Sequence, residues 1–372
     1  MRILHVVTLI SGDGAYGGPT RVAQNQAEAL RALGHKVEVV ASTQDLDFGV
    51  SKDGKLRLFK ALNVVPRSGF AGLVAPRMLV WIIRNRKSFD AAHIHLARDL
   101  VTLPAAWILK RLGVPIFLQT HGMIDKSSNV LARPLDLVLT RPVLRRGKAV
   151  MYLTERERSD LVGLSGPGVR VVQLKNGVPT SEVVRDTESN TCKRLLFLAR
   201  LQGRKRPDLF VRAVVRMKEE GFDVSGALVG PDEGEGPVVR SLIDQLGANS
   251  YIRWEGPISP DLVQTRLSNA DLFVLPSEDE PYPMSVLEAM SVGLPVIVST
   301  TCGLAPLISE GFCGSVAESG DLESLVSVIR SLLSSPEEMI LSGSRGRDLA
   351  RRVQGMKSVA LQLEEMYQTA LQ

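Results

Sequence analysis

The chain lacks most of the features that would mark a specialised class of protein. Only 5% of its 372 residues are aromatic, and there are only three cysteines and five histidines. Cys192, Cys302 and Cys313 are an odd number without metal-ligand spacing, so they read as buried thiols in a reducing cytoplasm. No apolar run reaches the length of about 18 residues that a membrane-spanning helix needs, so none is expected. Low-complexity tracts and short-period repeats are also missing, which argues against disorder and solenoid architectures. With so few aromatics interleaved among the basic residues, no nucleic-acid partner is expected. The opening segment Met1-Arg-Ile-Leu-His-Val-Val-Thr-Leu-Ile has one basic residue and no small-residue cleavage site. It reads as a buried first strand rather than a signal peptide.

What is present is the composition of an ordinary folded protein, 44% hydrophobic and 23% charged, in a chain long enough for two domains. Charge is divided unevenly: residues 1–174 carry +12 and residues 175–372 carry −7. A basic half suggests an anionic partner, such as a lipid surface or a pyrophosphate-linked acceptor; scattered solvated side chains are the plain alternative. Two basic segments stand out. Arg77-Met-Leu-Val-Trp-Ile-Ile-Arg-Asn-Arg-Lys87 combines apolar residues with a cationic end, and Arg133, Arg141, Arg145, Arg146 and Lys148 form a cluster. They lead us to expect peripheral contact with an anionic membrane, at its inner face.

Strand-like and helix-like runs alternate, then restart. In the first half strands are expected at 2–10, 36–42, 91–96, 114–120, 148–153 and 169–174, with helices near 18–33, 74–86, 100–111 and 155–162. In the second half strands are expected at 194–199, 224–229, 251–254, 272–276 and 295–298. Helices are expected there near 207–220, 237–246, 260–269, 284–292 and 321–333, followed by a helical tail. This order predicts an α/β protein of two Rossmann-like, doubly wound domains facing a central cleft. The expected boundaries are 1–174 for the first domain, 175–193 for a linker, and 194–355 for the second domain. A C-terminal helix at 356–372 is expected to pack back toward the N-terminal domain. Ligands in such sheets sit beyond the carboxyl ends of the strands.

Four motifs fall at strand ends. Gly12-Asp-Gly-Ala-Tyr-Gly17-Gly18-Pro19 follows the first strand and opens a helix, where backbone N–H groups can approach an anion. Its spacing formally matches a dinucleotide fingerprint, but the second strand, Lys36 to Thr43, has no ribose-binding carboxylate at its end. His121-Gly122 follows an apolar run and can exchange hydrogen bonds with a sugar hydroxyl or a backbone carbonyl. Arg200 and Lys205 flank a loop, where a guanidinium fork and a mobile ammonium could clamp one diphosphate. Glu280-Pro-Tyr-Pro-Met-Ser-Val-Leu-Glu288 enters a helix with a carboxylate on either side of its N-terminus. His93 and His95 lie two apart on one face of a strand, but no carboxylate or cysteine stands near them in sequence, and no metal is expected.

Taken in order, Gly17-Gly18, His121-Gly122, Arg200…Lys205 and Glu280-x7-Glu288, followed by Ala289-Met290 and Gly293-x-Pro295-Val296, resemble the family-4 retaining glycosyltransferases of the GT-B fold. The likeness extends over essentially the whole chain. It implies a nucleotide-diphosphate sugar as donor, held mainly by the C-terminal domain, with Arg200 and Lys205 on the diphosphate and Glu288 on the ribose. It further implies Glu280 and the Met284–Ser285 backbone on the donor sugar, His121 on the sugar's C6 hydroxyl, and the Gly17-Gly18 amides near the phosphates. His121, Glu280, Arg200 and Lys205 become the catalytic candidates. Metal independence, retention of anomeric configuration and a saccharide or lipid-linked saccharide acceptor also follow from the resemblance. The chain departs from the family's common Glu-Gly-Phe-Gly by having Glu280-Pro-Tyr-Pro283, whose two prolines remove two N–H donors. Two other functions use parts of the same pattern: a nicotinamide oxidoreductase, resting on the glycine fingerprint, and a non-catalytic sugar-nucleotide sensor.

Overall fold

A computed structural model describes residues 1–10, 17–44, 49–51, 53–65, 69–124, 132–178, 183, 191–353 and 355–371. The chain forms two compact units. One comprises Met1–Gly12, Tyr16–Gly177 and Met356–Gln372, and the other Asp13–Ala15 and Val178–Gly355.

The strands of the first unit are β1 (Arg2–Leu9), β2 (Lys36–Thr43), β3 (Gly49–Val50), β4 (Leu56–Lys60), β5 (Leu62–Asn63), β6 (Leu73–Val74), β7 (Ala91–His95), β8 (Ile116–Gln119), β9 (Ala149–Tyr152) and β10 (Val171–Gln173). Its helices include α1 (Gly17–Ala32), α2 (Pro76–Asn85), α3 (Thr102–Arg111), α4 (Ala132–Leu135), α5 (Arg141–Leu144) and α6 (Glu155–Ser165). Eight strands make one sheet in the order β10-β9-β8-β7-β1-β2-β4-β3, parallel except for the β3–β4 pair at the edge. β5 and β6 form a separate antiparallel pair. The central strands are largely buried because both faces are covered, although β1 and β7 also carry His5, His93 and His95. Leu4, Val6, Val40 and Ile94 belong to one buried cluster, and Ile3, Val7, Val39 and Ala41 to another. β1 has β2 on one side and β7 on the other, so the strand order reverses between β1 and β7.

The second unit is a six-stranded parallel sheet in the order β13-β12-β11-β14-β15-β16. Its strands are β11 (Lys193–Leu198), β12 (Val224–Val229), β13 (Ile252–Gly256), β14 (Leu272–Leu275), β15 (Val296–Ser299) and β16 (Gly314–Ala317). Helices α7 (Pro207–Glu219), α8 (Gly236–Gln245), α9 (Val263–Ser268), α10 (Met284–Ser291), α11 (Ala305–Glu310), α12 (Leu322–Leu333) and α13 (Pro336–Val353) accompany them. Here the order reverses between β11 and β14, and the loops leaving those two strands become neighbours. The last helix, α14 (Met356–Leu371), belongs to the first unit. It buries Met356, Val359, Ala360, Leu363, Met366 and Tyr367 in the cluster formed by α1 and β1.

Candidate functional site

The switch point of the second unit gathers charged side chains from two loops. β11 ends at Leu198, and a short 3-10 turn, Gly203–Lys205, brings the chain back to α7. Pro207 starts that helix with a fixed φ. β14 ends at Leu275, and the following loop leads to Pro283 and α10. The two loops are tied together by several bonds. The Glu278 amide donates to the Arg204 carbonyl at 2.8 Å, and an Arg204 guanidinium nitrogen donates to the Asp279 carbonyl at 3.3 Å. Arg206 pairs with Glu278 and, through two bonds of 3.0 and 3.1 Å, with Asp208. Arg206 and Asp279 both hold left-handed backbone, at φ 51° and 47°. Non-glycine residues take up that conformation at a cost of about 1–3 kcal/mol, which this network of ties offsets.

The Lys205 ammonium donates to Glu280 Oε2, and Arg204 approaches the same oxygen at 3.7 Å. Lys205 and Glu280 are both buried. Burial lowers the Lys205 pKa, and the Glu280 charge opposes that shift. Arg200 donates to Glu233 at 2.6 Å, with both side chains partly exposed. Gly230, at φ 145°, directly follows β12 and lies against this loop; a Cβ there would sit 2.0 Å from the Ala199 carbonyl oxygen. Only glycine lets the Arg200 loop and the β12 end come so close. Gln202 Oε1 and Ser277 Oγ, from the same two loops, are buried without a hydrogen-bond partner among the described residues. Met284 and Ser285 are the first residues of α10, whose initial N–H groups have no intrahelical acceptor. Glu288 is buried one turn further along. Cys302 is buried near Glu280 and Lys205, and burial pushes its thiol up to about 12. It is an inert neighbour rather than a nucleophile. All three cysteines are free thiols; Cys302 and Cys313 are buried and Cys192 is partly exposed.

Thus Arg200, Lys205, Glu280, Met284, Ser285 and Glu288 all belong to the second unit's switch-point loops and the helix they lead into. Arg204 and Arg206 stand beside them; Arg206 is committed to Asp208 and Glu278. The partners Glu233 and Glu278 carry no sequence signal, because only the strand order makes these loops neighbours.

Gly17, Gly18 and His121 lie in the first unit. Gly17 and Gly18 open α1 directly after the β1 loop, and a Cβ on Gly18 would meet nothing within 4 Å. Gly12 and Gly14 of the fingerprint lie outside the described residues. β2 ends in the buried pair Ser42 and Thr43, with no carboxylate in the strand's last turn of chain. His121 follows β8 with a left-handed φ of 52°. Its neighbours are clamped by one buried carboxylate: Glu157 accepts from the Thr120 hydroxyl at 2.5 Å, the Gly122 amide at 2.6 Å and the Leu153 amide at 2.6 Å. A signal for Glu157 does exist, since Thr154-Glu-Arg-Glu157 has capping-box spacing and Thr154 caps α6.

His93 and His95 do share a face, but they are engaged in hydrogen bonds. His93 contacts the Tyr367 hydroxyl at 2.6 Å and Gln119 Oε1 at 3.1 Å, while His95 contacts His5 at 3.1 Å and His121 at 2.8 Å. Among the described residues no group of three or more His, Cys, Asp or Glu side chains is placed to hold a metal ion. At this unit's own switch point the Thr8 hydroxyl donates to buried Asp99 at 2.5 Å, and Asp99 also accepts from the Val101 and Thr102 amides that start α3. Burial raises the Asp99 pKa, opposed by these bonds.

Comparison with known proteins accounts for both units. The model of "Glycosyl transferase 4-like domain" matches residues 17–177, and that of "Glycosyl transferases group 1" matches residues 182–347. The D-inositol 3-phosphate glycosyltransferase of Corynebacterium aurimucosum is 23% identical over 402 aligned positions, covering 97% of this chain and 93% of that protein. Sucrose-phosphate synthase from Thermosynechococcus elongatus superposes with a TM-score of 0.78 at 18% identity, over 99% of each chain. The Anabaena protein HepE in complex with UDP-glucose superposes with a TM-score of 0.74 at 16% identity, over 99% of this chain and 100% of that one. The fold is GT-B, and the two family matches, side by side over residues 17–177 and 182–347, make the chain a glycosyltransferase of GT-B type.

Proposed function

We propose that this glycosyl transferase moves a hexose-type sugar from a UDP- or GDP-sugar to a saccharide or lipid-linked saccharide, with retention of anomeric configuration. The observation that carries this reading is the cationic switch point of the second unit. Arg200 and Lys205 both stand in the loop leaving β11, where Glu233 and Glu280 pair with them. HepE, a structural neighbour, has been captured with UDP-glucose, which supports a nucleotide sugar as the donor class.

In the reaction the bond between the sugar's anomeric carbon and the diphosphate oxygen breaks, and an acceptor hydroxyl oxygen bonds to that carbon on the same face. The electron pair leaves with the nucleotide diphosphate, and the hydroxyl proton ends on a phosphate oxygen. Arg200 and Lys205 stabilise the charge that builds on the leaving group; such preorganised electrostatics are a large contributor to catalysis. Both cations face carboxylates, Glu233 and Glu280. The diphosphate replaces those carboxylates as their partner. Glu280, released from Lys205, then accepts from a sugar hydroxyl, Glu288 accepts from the ribose, and the Met284–Ser285 amides face the donor sugar. In the first unit, His121 and the Gly17–Gly18 amides are the groups offered to the ligand. Because the cations supply the charge, no metal ion is required. We place the enzyme in the cytoplasm, in polysaccharide or glycolipid synthesis, with peripheral contact to the membrane's inner face.

A thermal-shift panel of UDP, GDP, ADP and CMP tests the donor class. A ligand that binds only the folded chain raises its melting temperature. UDP or GDP should do so, and Arg200→Ala should reduce the rise at the same nucleotide concentration. A panel in which no nucleoside diphosphate stabilises the protein contradicts the proposal.

A further inference from the structure

The turn that carries His121 has an unfavourable local conformation and is held from another element. The Met123 amide donates to the Thr120 carbonyl at 2.8 Å, which closes a four-residue turn directly after β8. Its two central residues, His121 and Gly122, have φ of 52° and 73°. Positive φ at both centres is the pattern of a type I′ turn, where Asn-Gly or Asp-Gly is the usual choice. Gly122 meets that demand freely. His121 meets it at a cost, because its Cβ crowds the backbone in the left-handed region. The ring itself is engaged on one side: Nε2 faces His95 Nδ1 at 2.8 Å, and Nδ1 has no hydrogen-bond partner among the described residues.

Glu157 holds this turn. It is buried on α6, three residues after the cap residue Thr154. A glutamate at that position commonly reaches back to the amide of the cap residue itself. Here Oε2 accepts instead from the Leu153 amide, one residue earlier, at 2.6 Å. Oε1 is turned to β8's end, where it accepts from the Thr120 hydroxyl at 2.5 Å and the Gly122 amide at 2.6 Å. These two donors flank His121 in sequence, so one oxygen atom fixes the chain on both sides of it. Thr120 is fully buried, and the other acceptor near its hydroxyl, the Met151 carbonyl, lies at 3.4 Å. A buried carboxylate is costly unless its oxygens are hydrogen-bonded, and capping a helix occupies only one of them. The second oxygen of Glu157 is spent on a turn of unfavourable conformation, around a residue whose ring offers a free nitrogen.

We propose that Glu157 and Thr120 are positioning residues for His121. The carboxylate and the hydroxyl hold the left-handed turn, and the turn sets where the imidazole stands. Their loss lowers turnover and leaves the affinity for bare nucleotide in place. The kinetic consequence rests on the reading above, in which His121 meets the donor sugar and the second unit holds the nucleotide, whereas the placement of the ring does not.

The test compares Thr120→Val, which keeps the shape and removes the donor, with Thr120→Ser, which keeps the donor. Glu157→Gln is a second variant. Its amide offers one acceptor oxygen where the carboxylate has two, so it can serve Leu153 or the turn but not both. In UDP- or GDP-sugar turnover by the full chain, Thr120→Val and Glu157→Gln should lose about fivefold or more in kcat, the scale of one lost hydrogen bond. Thr120→Ser should stay close to wild type. Calorimetry with bare UDP or GDP should give all three variants the wild-type Kd to within about twofold. In a His121→Ala background, Thr120→Val should lower the residual turnover no further, because the ring it positions is gone. Wild-type kcat in folded Thr120→Val, an equal loss of nucleotide affinity, or a full repeat of the loss in the His121→Ala background each overturns the proposal. A ligand-free measurement keeps the test independent of catalysis, and of whether Glu157→Gln folds. In the full chain labelled with 15N at histidine, His121 should show one ring environment in wild type and Thr120→Ser, and a displaced or divided one in Thr120→Val. A ring that does not move in Thr120→Val ends the positioning idea alone. A ring that moves in a chain that turns over no sugar donor ends the functional reading alone.

Discussion

At the scale of single residues, the proposed chemistry turns on two cations, Arg200 and Lys205, held by carboxylates. Arg200→Ala and Lys205→Ala are each expected to weaken nucleotide-diphosphate binding by about 1.5–3 kcal/mol, the usual range for a hydrogen bond to a charged group. Calorimetry checks this, and wild-type affinity in folded variants would refute the assignment. Glu233→Gln should act in the other direction. It removes the partner that competes with phosphate for Arg200, and an exposed pair of this kind is worth about 0.2–1 kcal/mol, so binding should tighten up to about fivefold. The two carboxylates around α10 should divide their effects. Glu288→Ala is expected to weaken binding of the bare nucleotide, whereas Glu280→Ala should reduce turnover more than nucleotide affinity; equal losses in both variants would contradict that division. The four candidate motifs were legible because each stands at a strand's end in a recognisable spacing. Glu233, Glu278 and the partners of His121 were not. They lie tens of residues away in sequence, and only the order of strands in each sheet brings them close.

At the scale of elements, alternation gave most boundaries to within two or three residues. The strand expected at 224–229 has those limits, and α1, α7 and α10 differ from expectation by a residue or so. The elements not anticipated each lack a clear local signal, for different reasons. β4 is Leu-Arg-Leu-Phe-Lys, half polar and only partly buried at the sheet's edge, so it lacks the apolar run of a central strand. β16 is Gly-Ser-Val-Ala, with little propensity to signal a strand. Gly314 is required there because a Cβ would lie 1.9 Å from the Val296 carbonyl oxygen. The helical stretch around Leu135–Leu144 includes an irregular π turn at Asp136–Thr140, which breaks the periodicity used to find helices. Glu157 supplies the element-scale prediction, since it ties α6 to the ends of β8 and β9. Glu157→Ala leaves three donors without their acceptor and is expected to cost about 3 kcal/mol or more of stability. Urea denaturation measures it, and a loss under 1 kcal/mol would show that the clamp is not needed.

At the scale of the whole molecule, the charge asymmetry remains the feature with the broadest consequence. No helix among the described residues is long and apolar enough to cross a membrane. In α2, Met78 and Ile82 are buried, and Trp81 packs between Phe59 and Phe89 under Arg57, which leaves Val80 and Ile83 outward. The Arg145 guanidinium is spent on the Ser165 carbonyl at 2.7 Å, so it is a weaker candidate for lipid than the sequence suggests. Leu137 and Val138, 65% and 71% exposed between Arg133 and Arg141, are a better-placed apolar patch. Co-sedimentation with anionic vesicles should fall as salt rises and fall again when Leu137 and Val138 are changed to serine. Neutral vesicles should not bind, and indifference to anionic vesicles at low salt would leave the +12 half with another role. Turnover is expected to survive excess EDTA if, as proposed, Arg200 and Lys205 supply the charge a divalent ion would bring; complete loss restored by magnesium or manganese would overturn that.

The most direct measurement follows the full chain with UDP- and GDP-sugars, in the presence of saccharide acceptors, by proton NMR. The account predicts that one donor is consumed, that its nucleoside diphosphate is released, and that the first product carries the donor's anomeric configuration. Arg200→Ala and Lys205→Ala should slow that consumption at least tenfold. Consumption of no donor, or a first product of opposite configuration, would contradict it.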